Sequence, residues 1–142
     1  MQFYLQVILI VSTLVIFGIY FILNKEEPVV VTEETLRYVK KQIDDNAVFV
    51  AVKTWCPYCK ATIVTLLDQM KVPASKIKVL KLNELKHGRE IQEALFQMNG
   101  QKTVPHIYIN QIFIGGNSDL EELRVSGKLR NLLGEVIEKD KK

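Results

Sequence analysis

Residues 47–59 read Ala47-Val48-Phe49-Val50-Ala51-Val52-Lys53-Thr54-Trp55-Cys56-Pro57-Tyr58-Cys59, and this stretch decides the fold. Its first six residues form a short apolar run, the pattern of a strand buried on both faces. From Pro57 to Met70 the pattern turns helical, with Ile63, Leu66, Leu67 and Met70 at helical intervals. Pro57 suits the start of that helix, because the first turn does not use the N–H that proline lacks. Cys56 therefore stands at a strand-to-helix junction, where unpaired N–H groups and the positive end of the helix dipole favour an anion. Cys59 follows one helical turn later, inside the helix and nearer burial. These are the chain's only two cysteines, and their spacing closes a small disulfide ring. The thiolate is the reactive form of sulfur, so the pair points to redox chemistry rather than to packing.

Upstream, Thr32 can cap a helix that carries Glu33 and Glu34 in its first turn, where carboxylates suit the dipole. Leu36, Val39 and Ile43 give it one apolar stripe, and Asn46 ends it. Downstream, Lys71-Val72-Pro73 breaks the cysteine-bearing helix, and Ile77, Val79 and Leu80-Lys81-Leu82 make a second strand. A loop from Asn83 to Gly88 leads to a helix marked by Ile91, Ala94, Leu95 and Met98 and closed by Asn99-Gly100. Two short strands, His106-Ile107-Tyr108-Ile109 and Ile112-Phe113-Ile114, flank a tight Asn110-Gln111 turn, and Gly115-Gly116 ends the hairpin. Helical segments from Ser118 onward carry Leu120, Leu123, Leu129, Leu132, Leu133 and Val136. This order is that of an α/β domain. Two crossovers through helices predict parallel pairing, and the hairpin adds an antiparallel edge.

The first two dozen residues differ from everything after them. From Phe3 to Leu23 the run is apolar apart from Gln6, Ser12 and Thr13, without a charge. About 20 such residues suffice to span a bilayer as a helix. A cleaved signal would show a basic start, a shorter apolar core and a small-residue cleavage site, and a matrix-targeting presequence would be amphipathic and Arg-rich. Met1-Gln2 and Leu23-Asn24-Lys25 fit neither pattern, so residues 3–23 are expected to be an uncleaved membrane anchor, 24–31 a linker with Pro28, and 32–139 the folded domain. About 110 residues suit one compact core. Lys25, Arg37, Lys40 and Lys41 follow the anchor and none precedes it, which leans the domain towards the cytosol. Glu26 and Glu27 pull the other way, and a secretory-pathway lumen or a mitochondrion are the alternatives. The net charge of +3 is small and scattered, which argues against a nucleic-acid partner. Two cysteines cannot build the multi-bridge framework of a small secreted scaffold.

Four motifs fall in fixed order: Lys53-Thr54, Cys56-Pro57-Tyr58-Cys59, Thr103-Val104-Pro105 and Gly115-Gly116-Asn117-Ser118-Asp119. Together, from about Thr32 to Ile137, they resemble a dithiol glutaredoxin. The resemblance implies a thioredoxin fold, a four-stranded mixed sheet flanked by helices, here preceded by one transmembrane helix. It also implies a glutathione-dependent thiol–disulfide oxidoreductase, with glutathione as reducing co-substrate and glutathionylated or disulfide-bearing proteins as clients. Cys56 would be the nucleophile and Cys59 the thiol that closes the redox-active disulfide. Lys53 can offer a cation to the thiolate or to a ligand carboxylate. Val104 would offer backbone N–H and C=O groups to the tripeptide, as in strand addition, and the resemblance implies that Pro105 is cis. Gly116 lets backbone approach a ligand, while Ser118 and Asp119 open a helix that can hold a carboxylate and an ammonium. Thr54, Trp55, Pro57, Tyr58, Gln92 and Thr103 complete the implied contacts. Trp55 stands where many relatives carry Tyr, and the anchor is unusual for a family that is typically soluble.

Other readings fit less well. A zinc site needs four ligands, and the chain can add only His87 and His106, which lack a paired ligand spacing. No metal is therefore expected. His87 reads as a solvated loop residue and His106 as a strand residue beside Pro105. A glutathione-ligated [2Fe–2S] dimer is the alternative within the family, and Pro57 argues against it. A tethered adaptor with a permanently closed disulfide has no interaction motif to support it. The catalytic domain is expected to be monomeric.

Overall fold

The computed structural model describes residues 1–24 and 28–138. Lys25, Glu26 and Glu27 of the expected linker, and residue 139 at the expected domain end, lie outside the described residues. Helix α1 (Gln2–Leu23) has 22 residues and buries none of them. Among the described residues it is the one helix long and apolar enough to cross a membrane.

Thr32 caps α2 (Glu33–Asp44) as its position predicts, its Oγ1 accepting the Thr35 N–H at 3.1 Å. The apolar run forms β1 (Val48–Val52), buried at every position. Helix α3 (Pro57–Val64) runs into a π-helical turn, Thr65–Gln69, so the expected helix to Met70 ends in a widened turn. There the Met70 N–H reaches the Thr65 carbonyl at 2.9 Å, and Lys71 takes φ 58° to send Val72 back into the core. Strand β2 (Ile77–Lys81) stops one residue short of the expected end, because Leu82 turns inward to open a 3₁₀ turn, Leu82–Glu84. Then come α4 (Gly88–Asn99), β3 (His106–Ile109), β4 (Ile112–Gly115), α5 (Asn117–Val125) and α6 (Lys128–Glu138). Asn110 and Gln111, at φ 50° and 64°, make the tight hairpin turn.

Among the described residues the strands form one sheet in the order β2-β1-β3-β4. Strand β1 pairs parallel with β2, Val50 opposite Val79, and antiparallel with β3, Val50 opposite Ile107. The first crossover thus gives the parallel pair expected of it, and the second does not. The loop after α4 delivers Pro105 to the sheet end at which Cys56 sits, so β3 must run back along β1 in the opposite sense.

Alternation along β1 divides the core in two. Val48, Val50 and Val52 face Cys59, Leu66, Leu120, Leu129 and Leu133 of α3, its π turn, α5 and α6. Phe49 and Ala51 face Val39, Ile43, Ile91, Ala94 and Leu95 of α2 and α4. With both faces covered, the strand is fixed in register and the segment after Val52 leaves the sheet at a defined point.

His106 is fully buried. Its Nδ1 lies 3.1 Å from Asn99 Nδ2, while its Nε2 has no partner among the described residues. Burial pulls its pKa from 6.5 down to about 4. The folded protein therefore holds it neutral. The stability this contributes is complete above the unfolded-state value of 6.5 and is lost as pH falls towards about 4. The loss should amount to about 3 kcal/mol. Urea titrations between pH 4 and pH 8 are expected to show that slope, and His106→Asn is expected to flatten it. An unchanged slope in the variant would assign the acid sensitivity to other groups.

Candidate active site

Cys56 is the N-cap residue of α3, with extended backbone (φ −76°, ψ 120°), and Pro57 opens the helix. Its N–H donates to the Lys53 carbonyl at 3.1 Å, and its own carbonyl accepts from Lys60 N–H at 3.1 Å. The local turn therefore hangs the sulfur off the end of β1, as the junction predicts. The Cys56 side chain is half-buried, and its Sγ lies 3.9 Å from the Val104 carbonyl oxygen. The Val104–Pro105 peptide bond is cis, in agreement with the expectation for Pro105. Both thiols are free. Cys59 is only 2% exposed. Burial first, with the hydrogen-bonded Cys56 sulfur adding to it, pushes the Cys59 thiol up to about 12 against an opposing backbone hydrogen bond from Lys53.

A groove of about 620 Å³ lies beside the cysteines. It brings together Lys53, Tyr58, Gln92, Thr103, Val104, Pro105, Gly116, Ser118 and Asp119, all expected from the sequence. Thr54, Trp55, Cys56 and Pro57, also expected as contacts, are not among its lining residues, Cys56 lying beside it near Val104. Thr54 is turned away: its N–H and Oγ1 pair with Asn83 at 2.9 Å each. Trp55 stands 65% exposed. Gln101, Lys102 and Asn117 also line the groove, although the sequence reading did not single them out. Lys102 adjoins the Thr103-Val104-Pro105 motif and Asn117 lies within the Gly115–Asp119 motif, whereas Gln101 belongs to neither.

The walls are mostly backbone held by side chains. Asp119 Oδ2 accepts the Gly116 N–H at 2.8 Å, so α5 starts at Asn117 and Ser118 does not cap it. Gly115 takes φ +115°, and a Cβ there would run into the Asp119 carboxylate. Gln92 Nε2 donates to the Lys102 carbonyl at 3.0 Å, tying α4 to the Thr103–Pro105 loop. On the other side, buried Thr62 donates to Asn117 Oδ1 and buried Thr65 to Glu121 Oε1, both at 2.9 Å. These two hydroxyls register the cysteine helix against α5.

The histidines lie elsewhere. His87 Nδ1 sits 3.2 Å from Glu90 Oε2 at the start of α4, and His106 is packed on the α4 face of the sheet rather than beside the cysteines. Among the described residues no three His, Cys, Asp or Glu side chains gather as metal ligands.

The protein-family model for glutaredoxin matches residues 48–116. Glutaredoxin-1 of Saccharomyces cerevisiae is 53% identical over 107 residues, covering 75% of this chain and 97% of the relative. The chain belongs to the glutaredoxin family. Human mitochondrial glutaredoxin-2 is 38% identical over 104 residues, 73% of this chain and 61% of that protein. The solved structure of a buckwheat glutaredoxin–glutathione complex matches with a TM-score of 0.65 at 33% identity, over 74% of this chain and 96% of that one. This glutaredoxin thus has the thioredoxin-like α/β fold, with a four-stranded mixed sheet flanked by helices, and it is a glutathione-dependent thiol–disulfide oxidoreductase. The comparisons favour that activity over the [2Fe–2S] dimer.

The contrast between the two thiols is directly measurable. One equivalent of iodoacetamide at about pH 7.5, where burial keeps the Cys59 thiol protonated, is expected to alkylate Cys56 and leave Cys59 unmodified in peptide maps. Equal labelling of both would contradict the burial of Cys59.

Proposed function

We propose that this glutaredoxin reduces protein–glutathione mixed disulfides through Cys56, and ordinary protein disulfides through Cys56 and Cys59 together. The observation that carries the assignment is the Cys56 sulfur, half-buried at the N-cap of α3 and 3.9 Å from the Val104 carbonyl that lines the groove. In the first step the Cys56 thiolate attacks the glutathione sulfur of the mixed disulfide. A new S–S bond forms on Cys56, the old one breaks, and the client leaves as a thiolate that takes up a proton. A second glutathione thiolate then attacks the glutathione sulfur of that adduct, releasing oxidised glutathione and the Cys56 thiolate. The client is reduced by two electrons and two glutathione molecules are joined.

Glutathione is a peptide with two carboxylates and an ammonium, and the groove offers matching groups. Val104 backbone would pair with the tripeptide as an added strand. Lys53 would meet one carboxylate, and the N–H groups at Ser118 and Asp119 would meet the other. Tyr58, Gln92, Thr103, Pro105 and Gly116 shape the rest, whereas Thr54, Trp55 and Pro57 act at the rim or through the backbone. In the two-thiol route Cys59 attacks the Cys56–client disulfide, frees the client and leaves Cys56–Cys59 oxidised. Glutathione then reopens that ring. Burial raises the Cys59 thiol and so favours its protonated, unreactive form in this branch.

The full chain in detergent is the material for the test, with glutathione-dependent reduction of a glutathione mixed disulfide as the readout. Cys56→Ser is expected to abolish turnover, a loss of at least about 10³-fold since the nucleophile is gone. Cys59→Ser is expected to stay within about threefold of the parent, because the monothiol route needs only one sulfur. Turnover that survives Cys56→Ser, or that Cys59→Ser abolishes, would overturn the assignment.

We also infer that α1 is a single-pass membrane anchor, that residues 24–31 link it to the catalytic domain, and that this domain faces the cytosol. The length and the exposed, uncharged and largely apolar surface of the 22-residue helix support the span, and the lysines and arginine that follow it support the orientation. The monomeric state of the domain belongs to the same reading. In membranes of expressing cells the chain is expected to resist alkaline carbonate extraction, and protease added from the cytosolic side should digest the domain. Release by carbonate would remove the anchor, and protection of the domain would reverse the topology.

A further inference from the structure

Between the two backbone walls of the groove lies Gln101, a residue with no part in the chemistry above. Its Nε2 donates to the Thr103 carbonyl at 2.7 Å and to the Pro105 carbonyl at 2.7 Å. One carboxamide therefore grips the residue on each side of Val104. Both N–H groups of the amide are used in this way, which also fixes its orientation, since a flipped amide would set oxygen against two carbonyl oxygens. The Oε1 and Nε2 atoms lie 3.7 and 3.8 Å from the position a Cβ would take on Gly116, so the same side chain backs the opposite wall.

Gln101 is itself held from behind. Its N–H donates to Asn99 Oδ1 at 2.8 Å. Asn99 Nδ2 in turn lies 3.1 Å from His106 Nδ1 and donates to Tyr108 Oη at 2.9 Å. His106 and Tyr108 are buried residues of β3. The Gln101 backbone is thus tied to the sheet through Asn99, and its side-chain carboxamide reaches forward to the two carbonyls that flank Val104. Strand-like pairing with a peptide ligand needs the Val104 N–H and C=O held at fixed angles. Among the described residues, Gln101 is the side chain that donates to the Thr103 and Pro105 carbonyls.

We propose that Gln101 is a positioning residue for glutathione, setting the Thr103–Pro105 backbone so that Val104 presents its pairing groups to the tripeptide. This rests on the assignment of the groove as the glutathione site. Gln101 touches neither sulfur, so it acts on ligand recognition and not on the reactivity of Cys56.

Gln101→Met keeps the length of the side chain and removes both donors. In the full chain, the KM for a glutathione mixed disulfide is expected to rise about tenfold, in line with the loss of two hydrogen bonds, with kcat within about twofold. The rate of Cys56 alkylation by iodoacetamide is expected to stay unchanged. A KM within twofold of the parent would overturn the proposal, as would a rise in KM matched by an equal fall in Cys56 alkylation, which would indicate general collapse of the site. If the unmodified chain itself shows no glutathione turnover, the function fails first and separately. Should Gln101→Met not fold, the unmodified protein still decides: its Gln101 carboxamide protons should exchange slowly in nuclear magnetic resonance spectra. Exchange at the free-amide rate would overturn the proposal.

Discussion

Strand β1 is bonded on both edges and covered on both faces, and the site inherits its precision from that confinement. Parallel pairing to β2 and antiparallel pairing to β3 fix where Val52 ends. Alternate side chains lock into separate apolar layers, one under α3, α5 and α6 and one under α2 and α4. Cys56 follows only four residues after Val52, so its freedom is limited by a short turn closed by the Lys53–Cys56 hydrogen bond. Beyond Cys59 in its own helix, the sulfur meets Val104, which comes on the loop entering the antiparallel neighbour β3. The Gly115–Asp119 wall of the groove comes from the end of the hairpin beyond it. A shift of β1 by one residue would exchange the two apolar layers and carry the cysteine off the groove at the same time.

Much of this was legible from local pattern. The six-residue apolar run, the Thr32 cap, the proline-started helix and the hairpin each depend on neighbours within a few residues, and each appears close to its expected place. The direction of β3 was not legible, because a helical crossover orders strands without fixing the sense of the next one when a six-residue loop can return to either end. Nor was the π-helical turn, since Leu66, Leu67 and Met70 satisfy a wide turn as well as a regular one.

The site divides along the same line. Many motif residues line the groove, but Thr54, Trp55 and Pro57 do not, and some local roles are reassigned by partners elsewhere in the chain. Thr54 is captured by Asn83, 29 residues away. Ser118 yields the start of α5 to Gly116 and Asp119. His106 is the strand residue it was expected to be, but that it lies under α4 and meets Asn99 depends on the fold. Gln101 carried no sequence signal because a glutamine between Gly100 and Lys102 is compatible with any polar loop. Its meaning comes only from two carbonyls that the fold brings to its amide.

The burial of Cys59 has a consequence in time. Burial keeps the Cys59 sulfur mostly protonated at neutral pH, and the greater nucleophilicity of a more basic sulfur offsets this only in part. When Cys56 is occupied by an adduct its influence on Cys59 falls away, but burial, the larger cause, remains. An adduct on Cys56 therefore has a dwell, during which a small thiol can diffuse in from the surroundings. Which exit the adduct takes becomes a race between an internal clock set by packing and an external arrival rate set by concentration. Under the proposed mechanism, plentiful glutathione favours clearance of the adduct from outside, and scarcity leaves it to the buried sulfur.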